Sequence, residues 1–127
     1  MDLALKDLGE NIAAALHQEV LASEIVNDEL IITSRPDAVV NVLTYLRDDV
    51  NCQFKQLMDV CGADYPEREP RFEVVYNLLS LNHNNRVRVK VQTDEMTPVP
   101  SVSGVFSSAG WWEREAWDLF GIYFADH

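Results

Sequence analysis

The fold turns on Phe72-Glu73-Val74-Val75-Tyr76-Asn77-Leu78-Leu79-Ser80-Leu81, then Asn82-His83-Asn84-Asn85, then Arg86-Val87-Arg88-Val89-Lys90-Val91-Gln92. The first run is rich in Val, Tyr and Leu, side chains that suit a pleated surface. In the last run Val87, Val89 and Val91 alternate with Arg86, Arg88, Lys90 and Gln92, a period of two with one face in and one out. The Asn-rich stretch between them is a hairpin loop. Two antiparallel strands are therefore predicted over 72–81 and 86–92.

Upstream, Phe54 to Cys61 predicts another strand, separated from the hairpin by the charged, proline-bounded loop Pro66-Glu67-Arg68-Glu69-Pro70. Pro36 suits the first turn of a helix, where its missing N–H costs nothing. Val39, Leu43, Leu46 and Val50 are expected to form the apolar stripe of that helix, and Asp37 favours its positive end. Earlier still, Val20 to Val26 and Leu30-Ile31-Ile32-Thr33 read as two strands around the turn signal Asn27-Asp28. Leu5, Leu8, Ile12 and Leu16 mark one face of a first helix.

Downstream, Pro98-Val99-Pro100-Ser101 breaks the pattern before a last helix. The order is α-β-β-α-β-β-β-α. This predicts an α+β fold: a mostly antiparallel sheet of about five strands with helices packed on it. With 127 residues and 47% apolar content, one domain spanning 1–127 is expected.

Twenty-one acids against ten bases give a net charge of −11. That sign disfavours nucleic acid and direct adsorption to an anionic membrane leaflet, and is compatible with a basic protein partner. No apolar run approaches the ~20 residues of a bilayer span. The N-terminus, Met1-Asp2-Leu3-Ala4-Leu5-Lys6-Asp7, has neither a secretory pattern nor the Arg-rich character of a transit peptide, so a cytoplasmic chain is expected.

Chemistry-bearing motifs are scarce. No phosphate-binding loop, Gly-x-Gly-x-x-Gly fingerprint or Gly-x-Ser-x-Gly elbow occurs. His17, His83 and His127 are scattered and show no metal-ligand spacing. Cys52 and Cys61 cannot supply the four thiolates of an iron–sulfur cluster. Cys61, on a strand, reads as a small buried hydrophobe. Asp48-Asp49, Glu67/Glu69 and Asp94-Glu95 read as solvated faces and loops.

The exceptional segment is Gly110 to Phe124, which gathers all three tryptophans, Trp111, Trp112 and Trp117, with Phe120, Tyr123 and Phe124. On a helix, Trp112, Ala116, Leu119 and Phe120 share an apolar face. Arg114, Glu115 and Asp118 share another with Trp111, and Arg114 and Asp118 can pair four residues apart. Glu113 projects onto the margin of the apolar face. A carboxylate there needs a cation or donors, so Glu113 is expected to be partly buried and paired with an arginine such as Arg68, Arg71 or Arg88. Two readings stand at this point: a helix packed on the sheet with its charges outside, or a helix whose tryptophans and charges form a contact surface.

The same segment resembles a known family. Glu113-Arg114-Glu115, Ala116-Trp117, Asp118, Leu119-Phe120 and a final His127 fill the pattern of the 30-kilodalton (C) subunit of proton-pumping NADH:quinone oxidoreductase, respiratory complex I. Asp64-Tyr65-Pro66, Arg71 to Tyr76, Leu78 to Leu81 and Pro100-Ser101-Val102 extend the resemblance over roughly residues 54 to 127. Family members continue beyond the His with a basic tail, so the resemblance implies a piece of a longer polypeptide that lacks this tail.

The resemblance further implies an accessory, non-catalytic subunit of the peripheral arm, on the cytoplasmic side of the bacterial membrane. It implies no flavin, iron–sulfur cluster or quinone in this chain, with FMN and clusters in partner subunits. The implied partners are the D subunit, which is like hydrogenase large subunits, and the cluster-carrying B and I subunits. Glu113, Arg114, Glu115, Trp117, Asp118, Leu119, Phe120, Gly121 and His127 become the implied interface. The equivalent subunit of an F420H2 or plastoquinone oxidoreductase or a membrane-bound hydrogenase, or a free-standing binding module, are the alternatives.

Overall fold

The computed structural model describes residues 3–126. Helix α1 (Leu3–Ala15) buries Leu5, Leu8 and Ile12. Strand β1 (Val20–Val26) and strand β2 (Glu29–Ser34) form a hairpin. Its turn residues Asn27 and Asp28 sit at φ 52° and 63°. Those left-handed values match the right-handed strand twist, and Asn and Asp tolerate them best among residues with a side chain.

Pro36 opens a single 3-10 turn that leads into helix α2 (Val39–Asp48). Val39, Val42, Leu43 and Leu46 are fully buried along it. Val50 does not complete this stripe. The helix ends at Asp48, and Val50 lies in the following turn, 69% exposed. The acids Asp48 and Asp49 at the negative end of the helix macrodipole oppose continuation. The chain then doubles back, and the Phe54 N–H donates to the Leu46 carbonyl.

Phe54 is therefore a buried residue that precedes its strand, which begins later than the sequence suggests: β3 spans Gln56–Asp64. Strands β4 (Phe72–Ser80) and β5 (Asn85–Thr93) follow as the predicted hairpin, and Leu81 lies in the exposed turn. The sheet order is β1-β2-β5-β4-β3. All pairings are antiparallel except β2 with β5, where Leu30, Ile32 and Ser34 lie opposite Val87, Val89 and Val91. That one parallel seam joins the β1–β2 hairpin to the β3–β4–β5 meander.

One sheet face carries Leu30, Ile32, Val74, Tyr76, Leu78, Val87, Val89 and Val91 into a single core with the helices. The opposite face is polar. Glu29 pairs with Arg88 at 3.3 Å, Arg88 donates to Asn77 at 3.1 Å, and Asn77 donates to Asp59 at 2.6 Å. This rung crosses β2, β5, β4 and β3, supplying opposed donor and acceptor neighbours of the kind that stabilise sheets. Cys61 belongs to this face and is exposed, so the expectation of a buried thiol fails; Cys52 is the buried one. A strand position decides the face by parity alone, and parity is undefined until the register is fixed.

Pro98 to Ser101 does more than break the pattern. Val99–Pro100 forms a short strand β6 that pairs in parallel with β7 (Phe124–Ala125). Val99 and Ser101 donate to the Tyr123 and Ala125 carbonyls at 2.9 and 2.8 Å. Pro100 falls between the two donors, where its missing N–H is not needed. Between these strands lies helix α3 (Ala109–Phe120), ended by Gly121 at φ 74°, the left-handed cap that glycine adopts without a Cβ penalty.

Candidate functional site

Helix α3 packs against β3, and its orientation inverts the usual arrangement. The residues it buries fully are Ala109, Glu113 and Ala116, spaced four and three apart. Two alanines let the helix axis approach the sheet closely. Gly62 on β3 completes the fit: a Cβ there would lie 2.8 Å from the Phe120 ring and 3.1 Å from Ile122. Trp112 and Phe120 are half-buried against the core. Leu119, expected on the apolar face, is 67% exposed, because the buried face is centred on Glu113 rather than on Ala116 and Leu119.

Glu113 is completely inaccessible to solvent. Its carboxylate accepts from the Ser101 hydroxyl at 2.6 Å and from the Val102 N–H at 2.8 Å. The expected burial is present. The expected arginine partner is not, and the three candidates are engaged elsewhere. Arg68 pairs with Glu73, Arg71 with Asp64 and Glu95, and Arg88 with Glu29. The donors come instead from the turn after β6. Short charge-assisted bonds of this kind are about twice as strong as neutral ones. Glu113 thus ties the 101–103 turn to α3, with Ser103 joined through the Ser101 hydroxyl at 2.9 Å.

Tyr76, fully buried on β4, also feels this carboxylate. Its hydroxyl has no hydrogen-bond partner. Burial first, and the negative Glu113 second, push its ionisation well above the usual tyrosine range. The thiol of Cys52 is pushed up to about 12, chiefly by burial and then by Asp49. Partial desolvation, Asp59 and Glu115 raise that of Cys61. Neither thiol is thereby activated as a nucleophile at neutral pH. Among the described residues, no group of three or more His, Cys, Asp or Glu is arranged to hold a metal ion.

The outer side of α3 carries what a core usually hides. Trp111 is 72% exposed, Trp117 is 49% exposed, and Tyr123 stands just beyond the helix, also exposed. Trp117 and Tyr123 meet edge to face, centroids 6.1 Å apart at 77°. The expected ion pair forms, Arg114 to Asp118 at 3.3 Å. A cleft of about 210 Å³ is lined by Glu113, Arg114, Trp117, Tyr123 and Phe124.

Of the implied interface residues, the structure therefore brings Arg114, Glu115, Trp117, Asp118 and Leu119 to one exposed surface. It turns Glu113 inward, half-buries Phe120 and uses Gly121 as the helix stop. His127 lies outside the described residues. Sequence reasoning misses Ser101, the Val102 amide, Tyr76 and Tyr123. Only the spacing of Ala109, Glu113 and Ala116 hints at the true buried face.

The model of the respiratory-chain NADH dehydrogenase 30 Kd subunit family matches residues 32–127, and the chain belongs to that family. Its relatives are C subunits of NADH-quinone oxidoreductases. It is 62% identical over its whole length to the one of Paramagnetospirillum magneticum, covering 64% of that protein. It is 56% identical to that of Rhodospirillum rubrum over 98% of this chain and 58% of the relative. The equivalent protein of Xanthobacter autotrophicus is 53% identical over all of this chain and 61% of the relative. The chain thus spans about three-fifths of the length of the curated relatives it matches. Among solved structures, the membrane-bound sulfane sulfur reductase, an archaeal respiratory membrane complex, contains a chain similar in fold. The TM-score is 0.80 at 20% identity, covering 96% of this chain and 71% of that one.

Proposed function

We propose that this chain is the folded part of a non-catalytic subunit in the peripheral arm of a proton-translocating NADH:quinone oxidoreductase. In this reading it carries no flavin, cluster or quinone. It supports a neighbouring module that passes electrons from NADH, through FMN and iron–sulfur clusters, to quinone. The observation that carries the reading is the 62% identity across the full chain to a protein named as such a subunit.

The site supports a scaffolding role. Its one buried carboxylate is engaged in hydrogen bonds that fix a turn, while its aromatic side chains face outward. Exposed tryptophan is uncommon on a free surface and is enriched where proteins dock. The docking surface in this reading is the outer side of α3: Arg114, Glu115, Trp117, Asp118 and Leu119. Its partners are the hydrogenase-large-subunit-like D subunit and the cluster-carrying B and I subunits. No helix among the described residues is long and apolar enough to cross a membrane. Attachment to the cytoplasmic side of the membrane then runs through those partners.

The test is deletion of the gene for the full-length protein, followed by native gel separation of the solubilised membranes. The expected result is loss of the assembled complex and of NADH:quinone activity, both restored by the full-length gene. An assembled, active complex without this protein would overturn the proposal. Purification of the tagged protein with a flavin-bearing, NADH-oxidising module selects this complex over its F420H2- or plastoquinone-linked relatives.

A further inference from the structure

We propose that the cleft between Trp117 and Tyr123 receives a cationic side chain, an arginine or lysine, from a neighbouring subunit. The inference rests on the docking role given above to the outer side of α3, and adds the chemistry of its occupant. Three observations converge on it.

The first is shape. Two aromatic rings set at 77° make a corner rather than a flat plate, and the cleft they border is about 210 Å³. The corner stays open to solvent, since both rings remain about half exposed. The second is the nature of the walls. The face of an aromatic ring is negative, and a cation over tryptophan or tyrosine gains more as water leaves the site.

The third is charge. The chain carries −11 in all. On the wall of the cleft the single base, Arg114, is already matched by Asp118 at 3.3 Å. Glu113 lies beneath, held by Ser101 and Val102, and it contributes negative field from that fixed position. Glu115 stands on the same helix, and Asp126 follows shortly after Phe124. An incoming cation therefore meets a negative surround, whereas a carboxylate would meet aromatic faces and repulsion. An apolar side chain would fill the corner but would gain nothing from that field.

Photocrosslinking in the assembled membrane complex tests this. Benzoylphenylalanine replaces Arg114 at the cleft, or Trp111 on the far side of the same helix, in the full-length protein. The expected outcome is that the cleft probe marks another subunit beside an arginine or lysine. Trp117→Leu, which keeps apolar bulk but removes the ring, should lower that crosslink roughly tenfold. Trp117→Lys should block assembly, and reversing the marked cation to Glu should restore it.

A crosslink to a segment without arginine or lysine, or absence of charge-swap rescue, overturns the cation proposal and leaves docking intact if the Trp111 probe still marks a partner. Crosslinks from neither position, or only within the same polypeptide, overturn both.

Discussion

Helices α2 and α3 are of similar length and lie in one domain, yet they solve opposite problems. α2 hides Val39, Val42, Leu43 and Leu46 completely and exposes polar residues. That is the ordinary amphipathic helix, held by burial of branched side chains. α3 hides two alanines and a glutamate and exposes Trp111, Trp117 and Leu119. It gains little from large apolar burial. Close approach at Gly62 and the hydrogen bonds of Glu113 hold it in place. The contrast teaches that helix amphipathicity reports the whole assembly a helix serves, not only the domain it belongs to. A face that looks wrong for a lone domain is right for a subunit.

The comparison breaks most readily at the core of α2. Leu46→Ala should cost about 2–5 kcal/mol of stability through lost burial and the cavity left behind. Urea unfolding monitored by tryptophan fluorescence measures it, and a loss below about 1 kcal/mol would remove α2 as the anchoring helix.

Next comes the strut of α3. Glu113→Ala leaves the Ser101 hydroxyl and the Val102 N–H buried without their acceptor, a loss of about 3 kcal/mol. Glu113→Gln, which keeps one acceptor oxygen, should lose clearly less. Equal losses in the two variants would mean that packing, not hydrogen bonding, holds the helix.

A pH series separates the two regions further. Cys52, just beyond α2, holds its proton up to about pH 12 when folded. An unfolded cysteine releases its proton at about pH 8.5. Between those values the unfolded chain binds fewer protons, so stability falls as pH rises, by about 1.4 kcal/mol per unit from this group. Cys52→Ala should flatten that decline. An unchanged slope would assign the decline to other groups, such as Tyr45 or Tyr76, whose ionisation is also raised.

Beneath α3, Tyr76→Phe removes a buried hydroxyl that has no partner. It should leave stability unchanged or raise it by up to about 1 kcal/mol, opposite in sign to most core substitutions. A clear loss would reveal a partner acquired in solution.

The smallest effect on folding is expected on the outer side of α3. Trp117→Ala, Leu119→Ala and charge reversal at Glu115 or Asp118 should each change stability by no more than about 0.5 kcal/mol. The same changes should weaken retention in the complex, read by co-purification from membranes. Undiminished co-purification with Glu115 and Asp118 both reversed would return α3 to a purely structural role.

Much of the sheet is legible in the sequence alone. The alternation of Val87, Val89 and Val91 and the turn at Asn27-Asp28 act through neighbours in sequence, so local reading finds them. It places β1 at its observed bounds and β4 within one residue of them. The short parallel pair of β6 and β7 is not legible. Two residues around Pro100 have no periodicity, and their partner lies past an intervening helix. Leu119 and Cys61 are misplaced for a related reason. A face assignment depends on which neighbour approaches, and that neighbour is remote in sequence. At the site, the Arg114–Asp118 pair is readable from helical spacing, and the burial of Glu113 from its position among apolar residues. Its true partners, Ser101 and Val102, are not.

By itself, then, the sequence determined the element order, the mostly antiparallel sheet and the family, because local periodicity and a dense motif carry them. The tertiary structure alone decided that Glu113 is held by a hydroxyl and an amide rather than by an arginine. It alone turned Trp117 and Tyr123 outward to form a cleft. The physical reason is that a buried charge takes whichever donors the folded backbone brings within about 3 Å. Only the close packing of α3 at Gly62 sets which donors those are.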